Sequence, residues 1–307
     1  METLSSIECF VRSAEVGSFA EAARRLSVTP AAVGKSVAKL EARLGVRLFQ
    51  RSTRSLTLTE AGQLFLREVS ASLNTIQNAV ANLASAGGQP AGTLKVSMGT
   101  VFGRLYVVPL LGEFLQRYPA INPDWHFDNR QVDLIGQGFD AAIGGGFELP
   151  LGVVARKLTV AHRVLVASEA YLQQHAAVIE PEDLMQHQGI LIRSPQTGRI
   201  RSWQLTSRTR QHSPLTLKVH ITMSDSEAAC ATATQGLGIA LVSMPFAIPY
   251  LESGALHRVL PDWYVDDGNI SIYYAEHKLL PGKTRAFVDF IIEQFAEQGL
   301  GERFSAV

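Results

Sequence analysis

Residues 18–62 read SFAEAARRLSVTPAAVGKSVAKLEARLGVRLFQRSTRSLTLTEAG, and the division of this stretch into elements decides the fold of the N-terminal part. Ser18-Phe19-Ala20-Glu21 has the form of a capping box, in which the Ser18 hydroxyl accepts from the Glu21 amide and the Glu21 carboxylate reaches back to the Ser18 amide. A helix is expected to start at Phe19 and run through Ala22, Ala23 and Leu26. Thr29 as N-cap, with Pro30 at the first helical position where a missing N–H costs nothing, starts a second helix. Its apolar positions Val33, Val37, Leu40 and Leu44 form one buried stripe, and Gly45 supplies a left-handed stop. A basic hairpin and a third helix follow. Two short helices joined by a tight turn, then a basic hairpin, make the order of a winged helix-turn-helix.

The face of the second helix opposite the stripe carries Ala31, Ala32, Lys35 and Lys39. Small residues let a backbone approach a groove closely. Lys35, Lys39 and Arg43 at four-residue steps, continued by Arg47, Arg51 and Arg54 in the hairpin, are placed to neutralise phosphates flanking a major groove. A basic helical stripe alone is usually a solvated face. Here it lies on the second helix of a capped pair and continues into a wing, which points to double-stranded DNA.

Composition fits further domains attached to such a reader. The chain has 307 residues, 46% of them hydrophobic, enough for two or three domains. Net charge is zero overall, yet residues 1–90 carry 10 Lys+Arg against 7 Asp+Glu, and residues 20–67 carry 9 against 3. The positive field is concentrated on the proposed reading head, which excludes a uniformly basic histone-like protein. Cys9 and Cys230 lie outside any paired motif, read as core thiols, and suit a reducing cytoplasm. Met1-Glu2-Thr3 lacks a basic leader, and the apolar run Leu237 to Leu251 is interrupted by Ser243, Pro245 and Pro249, so neither signal peptide nor membrane span is expected.

From residue 59 the pattern changes. Leu66, Val69, Leu73, Ile76, Val80 and Leu83 step by three and four, a heptad seam that predicts a helix pairing with another, although a core helix fits the same spacing. Gly87-Gly88-Gln89-Pro90 breaks the run. Beyond it, strand-like segments such as Thr93–Ser97 and Ile190–Ile192 alternate with helical ones such as Val107–Arg117 and Ser226–Gln235, the mark of an α/β domain.

Ser18-Phe19, Ala22-Ala23-Arg24-Arg25-Leu26, Leu40-Glu41, Leu44-Gly45-Val46-Arg47-Leu48-Phe49 with Arg51, and Leu58-Thr59-Glu60-Ala61-Gly62 follow in order the pattern of the LysR-type transcriptional regulators, which this chain resembles. Gly103-Arg104, Phe114-Leu115, Arg117-Tyr118-Pro119, Val132-Asp133-Leu134, Ala170-Tyr171-Leu172, Gly236-Leu237-Gly238-Ile239-Ala240 and Arg285-Ala286-Phe287 extend the resemblance over essentially the whole chain. Two positions depart from the family: Gly34-Lys35 stands where a Ser-Arg pair is usual, and Thr29 where Gln or Ser precedes the proline. Lys35 offers a point charge in place of a guanidinium fork, so phosphate or looser guanine contact is expected of it.

The resemblance implies a winged helix-turn-helix at 1–58, a dimerising linker helix at 59–88, and a two-lobed periplasmic-binding-protein-like α/β regulatory domain at 91–307. Lobe I is expected at 91–163 and 267–307, and lobe II at 164–266. It further implies a bacterial, cytoplasmic regulator that binds a pseudo-palindromic operator as a dimer or tetramer and responds to a small-molecule effector between the lobes. Ser18, Thr29, Pro30, Ala31, Ala32, Gly34, Lys35, Lys39, Arg51 and Arg54 are the expected DNA-binding residues.

Strand-to-helix loops supply the expected effector contacts. In Gly99-Thr100-Val101-Phe102, Thr100 reads either as a plain N-cap of the helix running toward Tyr118 or as a cap that also donates to a ligand carboxylate. Gly144-Gly145-Gly146-Phe147 replaces a loop in which the family often has an arginine near Gly144, and three glycines open space there. Arg193-Ser194-Pro195-Gln196 faces it, with Arg193 read as an anion anchor or a surface arginine, and Ser224-Asp225-Ser226 begins another helix.

Enzymatic readings find little support. No G-x-S-x-G elbow, Walker loop or H-E-x-x-H is present, and Gly236-Leu237-Gly238 lacks the third glycine of a dinucleotide fingerprint. The eight histidines show no metal-ligand spacing, and the acidic run Asp262 to Asp267 reads as a solvated turn. No cofactor is expected. The alternative is a cytoplasmic small-molecule-binding or catalytic α/β protein whose N-terminal helices only oligomerise.

Overall fold

The structure is a computed structural model and describes residues 2–51, 56–84, 89–145, 152–194, 196–276 and 280–307. The chain divides into two compact units, Met1–Gly92 with Asp133–Phe139, and Thr93–Val132 with Asp140–Val307.

The first unit contains α1 (Glu2–Val16), α2 (Phe19–Arg25), α3 (Pro30–Leu44), the antiparallel strands β1 (Phe49–Arg51) and β2 (Leu56–Leu58), and α4 (Glu60–Ala84). Its start and stop signals act as expected. Ser18 Oγ accepts from the Glu21 amide at 3.4 Å, Thr29 Oγ1 accepts from the Ala32 amide at 3.2 Å, and Gly45 closes α3 at φ 71°. The reciprocal half of the capping box does not form, because the Glu21 carboxylate is engaged by the Arg24 guanidinium one turn on.

Phe10, Val11, Ala22, Ala23, Val33, Val37, Leu40, Leu48, Phe49 and Leu73 form the core of this unit. The α3 stripe ends a turn early: Leu44 is 42% exposed, and Glu41 takes the interior position at 4%. The heptad seam also divides differently from the sequence expectation. Leu66 and Val69 pack against this core and Leu73 lies within it at 2% exposure, whereas Ile76 is 42% exposed. The first half of the seam is therefore occupied by the head's own helices, since Phe10 and Phe65 bring α1 and α4 together with ring centroids 5.4 Å apart. The side chains of Val80 and Leu83, and residues 87–88 of the break, lie outside the described residues.

The second unit begins with β3 (Gly92–Met98), followed by a helical run of uneven pitch. It comprises α5 (Thr100–Phe102), a π turn at Gly103–Val107, a 3-10 turn at Val108–Leu110 and α6 (Leu111–Arg117), where one helix toward Tyr118 was expected. Pro109 lacks the N–H that a continuous α-helical ladder needs at this point. Then come β4 (Ile121–Phe127), β5 (Ala141–Gly145), β6 (Val153–Ala167), α7 (Glu169–Gln174), β7 (Gln188–Ile192), β8 (Gln204–Ser207), β9 (His212–Pro214) and β10 (Lys218–Met223). The chain closes with α8 (Ser226–Ala233), β11 (Ile239–Ser243), α9 (Met244–Glu252), β12 (His257–Val259), β13 (Trp263–Ala275), α10 (Gly282–Glu297) and α11 (Leu300–Arg303).

Eight strands run in the order β10-β7-β11-β6-β13-β5-β3-β4, with β12 on β6 and the pair β8–β9 on β13. Strand β7 is parallel to β10 and β11, and β3 to β5, as βαβ crossovers require, whereas β6 and β13 pair antiparallel. Alternation shows why both faces are covered. On β6 and β11, Val164, Val166, Ala240 and Val242 face one cluster with Ala229 and Ala247, while Leu165, Ala167, Ile239 and Leu241 face another with Tyr171 and Leu184. A third cluster gathers Leu94, Val96, Ile143 and Ile272 under Phe287, Phe290 and Phe295 of α10. β6 and β13 run from this cluster into the other two, with Ala161 and Ile270 at one end and Leu165 and Val265 at the other.

A buried ion pair fastens this arrangement. Lys283 Nζ donates to Asp140 Oδ2 at 2.8 Å, both side chains under 10% exposed, and to the Thr93 carbonyl; Asp140 Oδ2 also accepts from the Lys95 amide at 2.8 Å. Cys9 and Cys230 are both buried, and burial pushes the Cys230 thiol up to about 12. No helix among the described residues is long and apolar enough to cross a membrane, and none of their His, Cys, Asp and Glu side chains group to hold a metal ion.

Candidate functional site

Two regions gather the residues singled out from the sequence. In the first unit, α3 presents Thr29, Pro30, Ala31, Ala32, Lys35 and Lys39 as exposed residues, with Val33, Val37 and Leu40 beneath them in the core. Gly34 shares that face and has open space around it, so its lack of a side chain answers no crowding within the head. Ser18 is half-buried at the start of α2.

The wing is tied to α3 by one carboxylate that the sequence reading passed over. Glu41 Oε1 accepts from the Leu48 amide at 2.8 Å and the Phe49 amide at 3.1 Å, and Oε2 accepts from Arg47 at 3.1 Å. Arg47 is therefore already matched by a counter-charge within the head. Thr59 completes the joint: its amide donates to the Leu48 carbonyl, its Oγ1 donates to the Arg47 carbonyl at 2.7 Å, and the same oxygen accepts from the Gly62 amide at 2.9 Å. A Cβ on Gly62 would stand 2.1 Å from the Leu48 carbonyl oxygen, so this close approach requires glycine. Leu40-Glu41 and Leu58-Thr59-Glu60-Ala61-Gly62 are thus two sides of one joint. Arg51 pairs through its backbone with Leu56; its side chain, and all of Arg54, lie outside the described residues.

The second region is a cleft within the second unit, in two connected parts. One, of about 240 Å³, is lined by Gly99, Gly144, Gly145, Arg193, Ser194 and Gln196, among others. The other, of about 230 Å³, shares Gly99, Gly144 and Gly145 and adds Val101, Phe102 and Asp225. Nine of the expected effector residues are brought together here. Thr100 is not among the lining residues of either part. Gly99 caps α5 in its place, and the Thr100 amide donates to Asn129 Oδ1 at 3.0 Å. Phe147, Gly146 and Pro195 lie outside the described residues. Gly145 has a structural reason other than open space: a Cβ there would stand 2.1 Å from the Asn269 carbonyl oxygen of β13.

The acidic run read as a solvated turn lies largely within β13, and Asp267 is a buried member of the cleft. Its Oδ2 accepts from Arg163 at 2.8 Å and its Oδ1 from Arg201 at 3.3 Å, with the Asp267 side chain only 8% exposed. Both guanidinium groups lie over the Trp203 ring, at 4.8 and 4.4 Å from its centroid. A register shift between Asp266 and Asn269, with Gly268 at φ 80°, turns Asp267 toward these partners. No spacing signal marks these four residues, because they come from three separate segments. Across the cleft, Asn129 Nδ2 donates to Asp225 Oδ2 at 3.3 Å, and Gln196 Nε2 to Gln131 Oε1 at 3.4 Å. Asp225 Oδ1 also caps α8 by accepting from the Ala228 amide at 2.9 Å.

A capped helix pair with a fastened wing, and an α/β unit with a ligand-sized cleft, are the two halves of a ligand-responsive DNA reader. The chain matches the model of the bacterial regulatory helix-turn-helix protein, lysR family, over residues 4–63, and that of the LysR substrate binding domain over residues 87–296. An HTH-type transcriptional regulator of Xanthomonas campestris pv. campestris (strain 8004) is 32% identical over 290 residues, 92% of this chain and 83% of the relative. Among solved structures, the full-length Vibrio cholerae virulence activator AphB is similar with a TM-score of 0.58 and 27% identity, over 94% of this chain and 98% of that one. CrgA, a LysR-type transcriptional regulator from Neisseria meningitidis, gives a TM-score of 0.58 and 27% identity over 96% and 98%. The chain belongs to the LysR family of bacterial transcriptional regulators, and its relatives are regulators rather than enzymes.

Proposed function

We propose that this regulator acts in the cytoplasm, binding a pseudo-palindromic operator as a dimer or tetramer, with α3 in the major groove and the wing beside it. A small-molecule effector in the cleft biases the DNA-bound state. Lobes at 91–163 with 267–307 and at 164–266 enclose that cleft, and α4 continues from the head as the dimerising element.

The observation that carries this reading is the exposed face of α3, where two alanines and Gly34 permit close approach and Lys35 and Lys39 flank it. Paired heads on one duplex imply half-sites roughly 34 Å apart. Lys35 and Lys39 neutralise phosphates. Each phosphate left without its lysine lowers the slope of log affinity against log salt by about 0.9. Gel retardation of the full chain across a salt series tests this: Lys35→Ala with Lys39→Ala flattens the dependence, and an unaltered slope counts against the role. Absence of sequence-selective retardation at moderate salt would favour the alternative in which the N-terminal helices only oligomerise. Footprinting with and without a metabolite panel tests the sensor half, which requires different affinity for two states.

A further inference from the structure

We propose that residues 300–307 form a strap behind the floor of the cleft, latched to β6 by the neutral imidazole of His162, and that acid opens the latch. The device depends neither on what the cleft binds nor on how the head meets DNA, and it adds a proton-sensitive control to the second unit.

The strap joins two hydrophobic clusters. Phe304 is fully buried in the cluster under α10, its ring centroid 4.7 Å from that of Tyr106 and 6.2 Å from that of Phe102. Phe102 also borders the cleft, so Phe304 backs its floor. Two residues on, Ala306 is 3% exposed inside the other cluster, the one that holds Val164 and Val166. Earlier in the segment the Gly301 carbonyl accepts from Thr159 Oγ1 of β6 at 3.5 Å, and Arg303 pairs with Glu252 of α9 at 2.6 Å. One short run of chain is thereby fixed at the cleft floor, at β6 and in the cluster beyond it.

The latch is a hydrogen bond whose direction fixes a protonation state. The Ala306 amide donates to His162 Nδ1 at 3.0 Å, and the Ala306 carbonyl accepts from Arg258 Nη1 at 3.1 Å. A backbone amide can only donate, so Nδ1 must offer its lone pair, and His162, 7% exposed, must be neutral while the strap is shut. Protonation would set one N–H against another and place a second cation near Arg258. The groups that face the ring are Lys157 of its own strand, Asp266 and Tyr264 of β13, and Arg258 of β12. Burial holds the imidazole below its ordinary value, Lys157 and Arg258 add to that, and Asp266 opposes it. The shut strap therefore keeps its full stability above the ordinary histidine value of about 6.5 and loses it as pH falls below that value, where the released side chain takes up a proton that the latched one refuses.

Hydrogen exchange of the full chain, read by mass spectrometry at roughly pH 7.5 and about pH 5 and corrected for intrinsic amide rates, tests this. Acidification lowers the protection of the segment Phe304–Val307 by roughly tenfold, and at the acid end this segment exchanges faster than the buried amides of α10, because the strap opens without unfolding of the unit. His162→Asn keeps a side-chain carbonyl near the position of Nδ1 but does not titrate, so in that variant the difference between the two conditions disappears. Strap protection that is unchanged by acid in the native chain overturns the proposal without any variant. A strap that is never less protected than α10 also overturns it, since it would then open only with the whole unit. So does a loss in His162→Asn as large as in the native chain, which would place the responsible proton elsewhere.

Discussion

Glu41 shows what one side chain can hold. It is charged and 4% exposed, and its two oxygens are shared between two backbone amides and a guanidinium. Removing it leaves the Leu48 and Phe49 amides buried without an acceptor, so Glu41→Ala is expected to destabilise the head by about 3–5 kcal/mol. Calorimetry of the full chain, read beside gel retardation, checks this; a head that melts unchanged would show that water replaces the carboxylate. Gly62→Ala strikes the same joint from the other side, pushing Leu48 away and costing roughly 1–3 kcal/mol, whereas Gly34→Ala, inside α3 with open space around it, should stabilise the head by about 0.5–1 kcal/mol. In the second unit, Asp140→Asn strands the Lys283 ammonium, an expected loss of about 3–5 kcal/mol measurable by denaturant unfolding. Sequence reading caught the caps of this region because Ser, Thr, Pro and Gly announce themselves locally. Glu41 escaped it because a glutamate beside a leucine on a helix looks like any solvated residue until the wing folds over it.

Among the elements, α4 carries the clearest difference between periodicity and use. A three-four repeat records which face of a helix is apolar and says nothing of what covers it. Leu66, Val69 and Leu73 pack into the core of the head, while Ile76, three residues beyond, is open. The two ends should therefore respond differently. Leu73→Ala is expected to cost about 2–5 kcal/mol of head stability. Ile76→Asp should leave the head's unfolding unchanged and weaken self-association, seen as a lower sedimentation mass at micromolar protein. If Ile76→Asp destabilises the head as much as Leu73→Ala, the two ends of α4 do not serve different partners. The helical run after Gly99 follows the same rule: apolar spacing located it, but Pro109 and the π turn set its pitch, and Thr100 lost the cap position to Gly99. The Arg163–Asp267–Arg201–Trp203 group was not legible at all, being assembled from strands and loops far apart in sequence by a bulge that no composition rule locates.

For the molecule as a whole, the class of each unit was legible from capping, periodicity and alternation, because those signals are local and each unit repeats them many times. Acidification exposes what is not local. His162 is lowered below its ordinary value by burial and accepts from the Ala306 amide at Nδ1, 3.0 Å away; His187 is lowered by burial and by nearby His175. Below the ordinary histidine value of about 6.5 the unfolded chain binds protons that the folded chain refuses, so these two groups leave stability intact above that pH and erode it as pH falls. The melting temperature of the second unit should drop as pH falls from roughly 7.5 to about 5, and His162→Gln with His187→Gln should flatten the profile; an equally steep profile in the double variant would assign the effect elsewhere. Strands β6 and β13 give the last consequence. They pass from one hydrophobic cluster to the next, so the two ends of this unit are joined through a paired ribbon whose ladder is interrupted beside Gly268. A ligand that touches Asp267 would therefore bear on the stretch of ribbon where the pairing of the two strands shifts register.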